Sequence, residues 1–264
     1  YVHTTHYQKP YSESELATVP NNDKIENITY YDGLGRPMQH IGIRAGGSGE
    51  DLITPITYDA YGRQDKEYLP YAATSNHGMY RANDPTGQAQ QFYQTQYPDD
   101  FENLLLEEVN PYAQKVFENS PLNRVLEQAA PGKDWAVGNG HTIKFDYQTN
   151  SVDEVLLFGV SFAQNNPEQP QLELATSYYS AGELYKTVTK DENWRSYDKK
   201  DRTTEEFKNK QGQVVLKRTY NQQQAHDTYY VYDDFGNLTY VIPPKAAETI
   251  FSQATTSAHT VVFP

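Results

Sequence analysis

The stretch Tyr31-Asp32-Gly33-Leu34-Gly35-Arg36 decides the reading of this chain, because it comes back. It recurs as Tyr58-Asp59-Ala60-Tyr61-Gly62-Arg63, as Tyr197-Asp198-Lys199-Lys200-Asp201-Arg202 and as Tyr232-Asp233-Asp234-Phe235-Gly236-Asn237. A recurring phrase marks a structural unit, and repeats must be found before any other fold argument is made.

Each copy reads as the tip of a β-hairpin. Residues 25–31 and 36–43 flank the first copy with β-branched and aromatic side chains in rough alternation, the pattern of strands with one buried face. Asp32 suits the first position of a type I turn, where its carboxylate accepts backbone N–H bonds. Gly35 then takes the left-handed conformation that closes such a hairpin with a bulge. The tyrosine ends one strand and the arginine begins the next, so ring and guanidinium stem are expected to pack across the ladder. Asp201 stands in for glycine in the third copy, aspartate being among the few residues that tolerate a left-handed backbone. Weaker relatives are Tyr178–Leu184, which lacks the aspartate, Phe207–Val214, read as one residue longer, and Phe117-Glu118 through Asn123-Arg124, read as a copy with an insertion.

The phrase resembles the tyrosine–aspartate repeat of the RHS/YD-repeat family. Residues 229–244, ending Val241-Ile242-Pro243-Pro244, are similar to the form found in RHS-repeat proteins of Bacteroidetes. Residues 28–37 look like the start of the region just upstream of their main repeat array. The likeness runs over residues about 25 to 245 and is weakest across 85–175. It implies a mainly β fold: antiparallel hairpin repeats forming an extended, curved sheet, part of an RHS shell, with one or two short helices. In that family the sheet spirals into a hollow shell that often encloses a C-terminal toxin domain, and some members serve in surface adhesion.

Composition agrees with wall rather than dry core. Mean hydropathy is −0.83, yet aromatics reach 13%, with 23 Tyr against 10 Phe, which argues against disorder. Tyrosine pairs an apolar ring with a wet tip and suits a sheet that meets solvent, and high strand content alone also accounts for its abundance. A net charge of −13 disfavours nucleic acid and anionic membranes as partners. Without cysteine there are no disulfides or thiolate metal sites. No stretch approaches the roughly 18 apolar residues of a membrane-spanning helix. The start at Tyr1 shows no signal-peptide pattern, and the chain reads as a piece of something longer.

The expected organisation is an extended, mobile leader over 1–24, hairpins over 25–83, a helix-and-loop insertion over 84–140, hairpins again over 141–245, and a tail or next module over 246–264. Asp84 as cap, Pro85 at the first position and Pro98 as terminator predict a helix over 84–97. A second short helix or strand is expected near 100–108, and mostly loop over 110–140. Ala45–Glu50 reads as a flexible linker.

Tests for chemistry are negative. His3 and His6 have suggestive spacing but lie in the leader, where surface histidines are the default. Asp84-Pro85-Thr86-Gly87 superficially matches the self-cleavage element of RHS cores, though a helix cap explains it better. Glu107-Glu108 and Glu205-Glu206 are neighbours pointing to opposite faces, unlike the facing carboxylates of glycosidases, and read as solvated charge. Nucleophile elbow, phosphate loop, dinucleotide fingerprint and metalloprotease helix motif are all missing.

The expectation is therefore a structural shell segment and not an enzyme, with no cofactor, secreted or at the cell surface. Its partners are further RHS repeats of a longer chain, with an enclosed toxin domain or secretion machinery. The alternative is an extracellular adhesion module that binds carbohydrate or another partner through exposed aromatics such as Trp135 and Trp194.

Overall fold

A computed structural model describes residues 1–82, 84–163 and 166–254. The chain is mainly antiparallel β and divides into two units, Tyr1–Thr142 and Ile143–Pro264.

The first unit contains β1 (Val2–Tyr7), β2 (Lys24–Tyr31), β3 (Pro37–Ile43), β4 (Asp51–Pro55), β5 (Lys66–Tyr68) and β6 (Tyr71–Ala73). Helix α1 (Pro85–Gln96), β7 (Tyr112–Phe117) and β8 (Val125–Ala129) follow. Five strands pair in the order β1-β2-β3-β4-β6, and β5-β7-β8 form a second antiparallel ladder. Alternation in β3 and β4 turns Ile41 and Ile53 inward, where they meet Tyr71, Ala89 and Phe92. Helix α1 starts where Asp84 accepts the Gly87 N–H and Pro85 fills the first position. It docks through Ala89 and Phe92 and through glutamine amides, Gln90 donating to the Val109 carbonyl and Gln94 to that of Leu104. The buried Asp51 carboxylate accepts from the N–H groups of Arg44 and Gly78 and from His77, so one side chain ties two loops to β4.

The second unit contains β9 (Ile143–Thr149), β10 (Leu156–Ala163), β11 (Asn166–Tyr178), β12 (Tyr185–Lys190) and β13 (Thr203–Lys208). It continues with β14 (Val214–Asn221), β15 (Gln224–Tyr232), β16 (Leu238–Ile242) and α2 (Pro244–Ala254). The ladder runs β9-β12-β13-β14-β15-β16, and β10-β11 form a separate hairpin. One sheet face carries Phe207, Leu216, Tyr229, Val231 and Ile242, packed with Val155, Leu156, Leu184 and the α2 residues Ala247 and Ile250. Beside this apolar patch the same face is ionic. Glu205, Arg218 and Asp227 lie opposite one another on three successive strands. Arg218 donates to Asp227 at 2.6 and 2.8 Å, and Lys186 bridges Glu154 at 2.7 Å and Glu205 at 3.2 Å.

Several expectations change here. The leader is no mobile tail: Val2–Tyr7 pairs residue by residue with Lys24–Thr29. Its polar alternation hides an edge strand held by backbone bonds. The stretch expected to be loop contains the β7–β8 hairpin. Near 100–108 only a single 3-10 turn forms, Leu106–Glu108. The glycine-rich linker is closed on itself, Gly46 N–H donating to the Glu50 carbonyl and Ser48 N–H to the Glu50 carboxylate. Glu205 is buried in the ionic stripe rather than solvated. The expected tail beyond residue 254 lies outside the described residues.

Candidate functional site: coupled hairpin turns

Three of the four quoted copies have one geometry. At the first, Asp32 N–H donates to the Arg36 carbonyl at 2.9 Å and Gly35 N–H to the Asp32 carbonyl at 3.1 Å. One carboxylate oxygen accepts the N–H groups of Leu34 and Arg36 at 2.8 and 2.9 Å, and the other accepts Arg36 Nε at 2.8 Å. Gly35 has φ of 77°, so the glycine is required. Asp59 repeats every contact with Tyr61, Gly62 and Arg63, and Asp233 does so with Phe235, Gly236 and Asn237. The tips are exposed, Leu34, Tyr61 and Phe235 at 80%, 78% and 85%, with Arg63 lying over the Tyr61 ring at 5.0 Å.

These bonds hold the carboxylates ionised. The N–H of Arg36 is the main influence depressing Asp32, and the Asn237 side chain that depressing Asp233. Around Asp59 burial pushes upward, and the N–H and guanidinium of Arg63 with the N–H of Tyr61 outweigh it.

The third copy departs from this form. Ser196–Asp198 is a 3-10 turn, and Asp198 accepts backward from the Arg195 N–H instead of forward. The left-handed positions are Lys199 and Arg202, not Asp201. Tyr197 is 79% exposed, so its ring packs on no turn. Asp201 serves a different purpose, accepting from the N–H and side chain of Gln223. Aspartate tolerates a left-handed backbone, but here the longer connection between β12 and β13 removes the need for it at that position.

A fourth true turn lies where the sequence reading placed a longer relative. Asn209 takes the aspartate position: its Oδ1 accepts the N–H groups of Gln211 and Gln213 at 3.1 and 2.9 Å, and its Nδ2 donates to Gln213 Oε1. Gly212 has φ of 81°. The turn has the common length, with Lys208 rather than Phe207 at the tyrosine position. Glu118 builds the variant with an insertion. Its longer side chain spans to the N–H and guanidinium of Arg124, and Asn123 is left-handed at φ 52°. The Arg124 bonds are the main influence bringing the Glu118 carboxyl down to about 2.

The tyrosine, and the residue after the glycine in addition to its bond to the aspartate, also act between turns. Arg36 does not stack on its own Tyr31. It lies over Tyr58 of the following copy at 4.4 Å, and Arg63 lies over Phe117 of the next at 4.6 Å. Tyr58 Oη donates to the Pro37 carbonyl at 2.9 Å, five residues past Asp32. In the second unit Tyr232 Oη donates to the Val214 carbonyl at 3.1 Å, five residues past Asn209. A Cβ on Gly62 would meet Arg36 Nη1 at 3.0 Å, and one on Gly236 would meet Gln213 Nε2 at 3.1 Å. The Asp59 turn therefore closes against its predecessor at three points, a hydroxyl on a strand carbonyl, a ring on a side chain and a bare glycine, and the Asp233 turn shares the hydroxyl and the glycine, with Gln213 Nε2 donating to the Gly236 carbonyl at 3.2 Å. Each tyrosine hydrogen bond contributes about 1 kcal/mol and each cation–π contact about 0.5–1 kcal/mol.

The other singled-out residues do not join a site. His3 faces Glu26 across β1 and β2 at 3.4 Å, and no group of three metal-ligating side chains exists among the described residues. Trp194 Nε1 donates to the Lys199 carbonyl, and Trp135 packs against His141.

A family model described as a domain of unknown function, DUF6443, matches residues 3–149. The chain belongs to this family. Solved structures share the fold. The crystal structure of TcdB2-TccC3 without its hypervariable C-terminal region aligns over 88% of this chain and 9% of its own, at 15% identity and TM-score 0.51. That of TcdB2-TccC3-TEV aligns over 90% and 10%, at 16% identity and TM-score 0.50. This DUF6443 chain thus spans about a tenth of the length of those proteins. No curated protein matches it.

Proposed function

We propose that the chain is a wall segment of an RHS-type shell of the YD-repeat kind, whose coupled turns hold successive hairpins side by side. The observation that carries this is the junction between consecutive turns, a tyrosine hydroxyl on the preceding strand and a bare glycine against the preceding side chain, found in both units with different chemistry. It is supported by the shared fold with TcdB2-TccC3. In this reading the chain is structural, not an enzyme. The shell it builds encloses or presents a secreted toxin or effector of the Bacteroidetes RHS type, outside the cell or at its surface, and its partners are further repeats of the same protein and the enclosed domain. Electron microscopy of a longer gene product containing this chain tests the proposal. A hollow particle with these hairpins continuous with its wall is expected; a solid body with this chain as a detached globule would contradict it.

A further inference from the structure

The ionic stripe of the second unit holds an arrangement that the wall reading does not use. Lys186, buried on β12, lies between two carboxylates. Its Nζ donates to Glu154 Oε1 at 2.7 Å and stands 3.2 Å from Glu205 Oε2. The Phe207 ring lies beneath the same nitrogen at 5.0 Å. Glu154 Oε2 accepts the Ser151 N–H at 2.7 Å, so both oxygens of that carboxyl are fixed. Glu205 is 4% exposed, and among the described residues its Oε2 accepts no hydrogen bond. The other charges nearby are engaged elsewhere. Arg218 is held by Asp227 and stays 3.8 Å from each glutamate, and Lys200 comes within 3.7 Å of the other Glu205 oxygen.

One carboxylate suffices to balance a buried lysine, and burying a second is costly. A fixed amine, a fixed carboxyl and a second carboxylate free to carry a proton are the three parts of an amide condensation. We infer that Lys186 and Glu154 join in an intramolecular isopeptide bond, with Glu205 as the proton carrier. At rest the pair is ionic: burial pushes the Glu154 carboxyl up, and the bonds from Lys186 and Ser151 outweigh it. The step begins when Lys186 passes the proton of their shared bond to Glu154, giving a neutral amine and a neutral acid, the forms that burial favours. The Nζ lone pair then bonds to Glu154 Cδ, and the carbonyl electron pair moves onto Oε2, where the Ser151 N–H stabilises it. Glu205 takes a proton from the attacking nitrogen and returns it to the departing Oε1 hydroxyl. One water leaves, and the net charge is unchanged. Fixed geometry supplies the effective concentration that free groups in solution lack. In a chain without cysteine, the bond would brace the β9–β10 connection against β12 and close the β10–β11 hairpin into a covalent loop.

The inference is independent of the shell role, because all these groups belong to one folded unit. Intact-mass spectrometry of the full chain, followed by tandem mass spectrometry of a digest, tests it. A mass one water below that of the sequence is expected, with the loss mapped to a branched peptide joining Lys186 to Glu154. Glu205→Gln is expected to slow formation of the branch by about a hundredfold or more, with the circular-dichroism spectrum unchanged. Glu154→Gln is expected to give the same branch with loss of ammonia in place of water, a readout that does not depend on the folding of the Glu205 variant. The full sequence mass after prolonged incubation of the folded chain, a branch between other residues, or undiminished formation in Glu205→Gln would overturn the inference.

Discussion

The junctions of the two units use the same backbone and different chemistry. In the first unit the residue after the glycine is arginine, and it reaches across to the next aromatic ring, Arg36 to Tyr58 and Arg63 to Phe117. In the second unit that residue is Gln213, which donates to the Gly236 carbonyl of the following turn. Both units retain the tyrosine hydroxyl on the preceding strand. The hydroxyl and the bare glycine are therefore the common joint, while the residue after the glycine sets whether the joint responds to charge.

Glycine substitutions are expected to separate leading from following turns most strongly. Gly62→Ala and Gly236→Ala combine a left-handed φ with a neighbour at 3.0 and 3.1 Å, whereas Gly35 and Gly212 have open space where a Cβ would go. All four should cost about 1–2 kcal/mol in urea unfolding from backbone strain alone, with a further loss at Gly62 and Gly236. Equal effects at the four sites would show that the turns do not touch.

Removing the hydroxyl is the next largest change. Tyr58→Phe and Tyr232→Phe should each lose about 1 kcal/mol, alike in both units, while Tyr31→Phe and Tyr197→Phe lose nothing measurable. A larger loss at Tyr31 than at Tyr58 would reverse the assignment of partners.

Acid should distinguish aspartate turns from the asparagine turn. Asp32, Asp59, Asp233 and Glu118 are all held below their ordinary values, so the folded chain releases these protons more readily than the unfolded one. Their stabilisation is complete above the unfolded values, near pH 4, and is lost as pH falls through the lower folded ones. Amide exchange at pH 3 should therefore accelerate at Arg36, Arg63 and Asn237 relative to Gln213, after correction for intrinsic rates. Asn209→Asp should bring the Gln213 amide into line with the others.

Salt gives the smallest effect. Raising sodium chloride from about 0.1 to 1 M should reduce the cost of Arg36→Met by a few tenths of a kcal/mol through screening, and leave that of Gln213→Met unchanged.

What the sequence reveals here follows from how local each interaction is. The closing bonds of the Asp32, Asp59 and Asp233 turns lie within five residues, so aspartate and glycine three apart disclose them. Helix α1 is legible for the same reason, through Asp84 and Pro85. The Asp198 copy misleads because the letters persist without the glycine that makes the geometry. Asn209 is obscured because Phe207 resembles the repeat tyrosine, although an amide oxygen accepts the same two N–H groups as a carboxylate. The partner of each tyrosine is illegible, since Arg36 and Tyr58 meet only after both hairpins have formed. Strand β1 escapes notice because an edge strand that pairs through its backbone needs no apolar alternation.

A double-mutant cycle between Arg36 and Tyr58, read by urea unfolding and run beside a cycle between Arg36 and Tyr31, tests the central claim most directly. Coupling of about 0.5–1 kcal/mol is predicted for Arg36 with Tyr58 and none for Arg36 with Tyr31. Coupling confined to the Tyr31 pair would mean that each turn closes on itself, and the account of joined turns would be wrong.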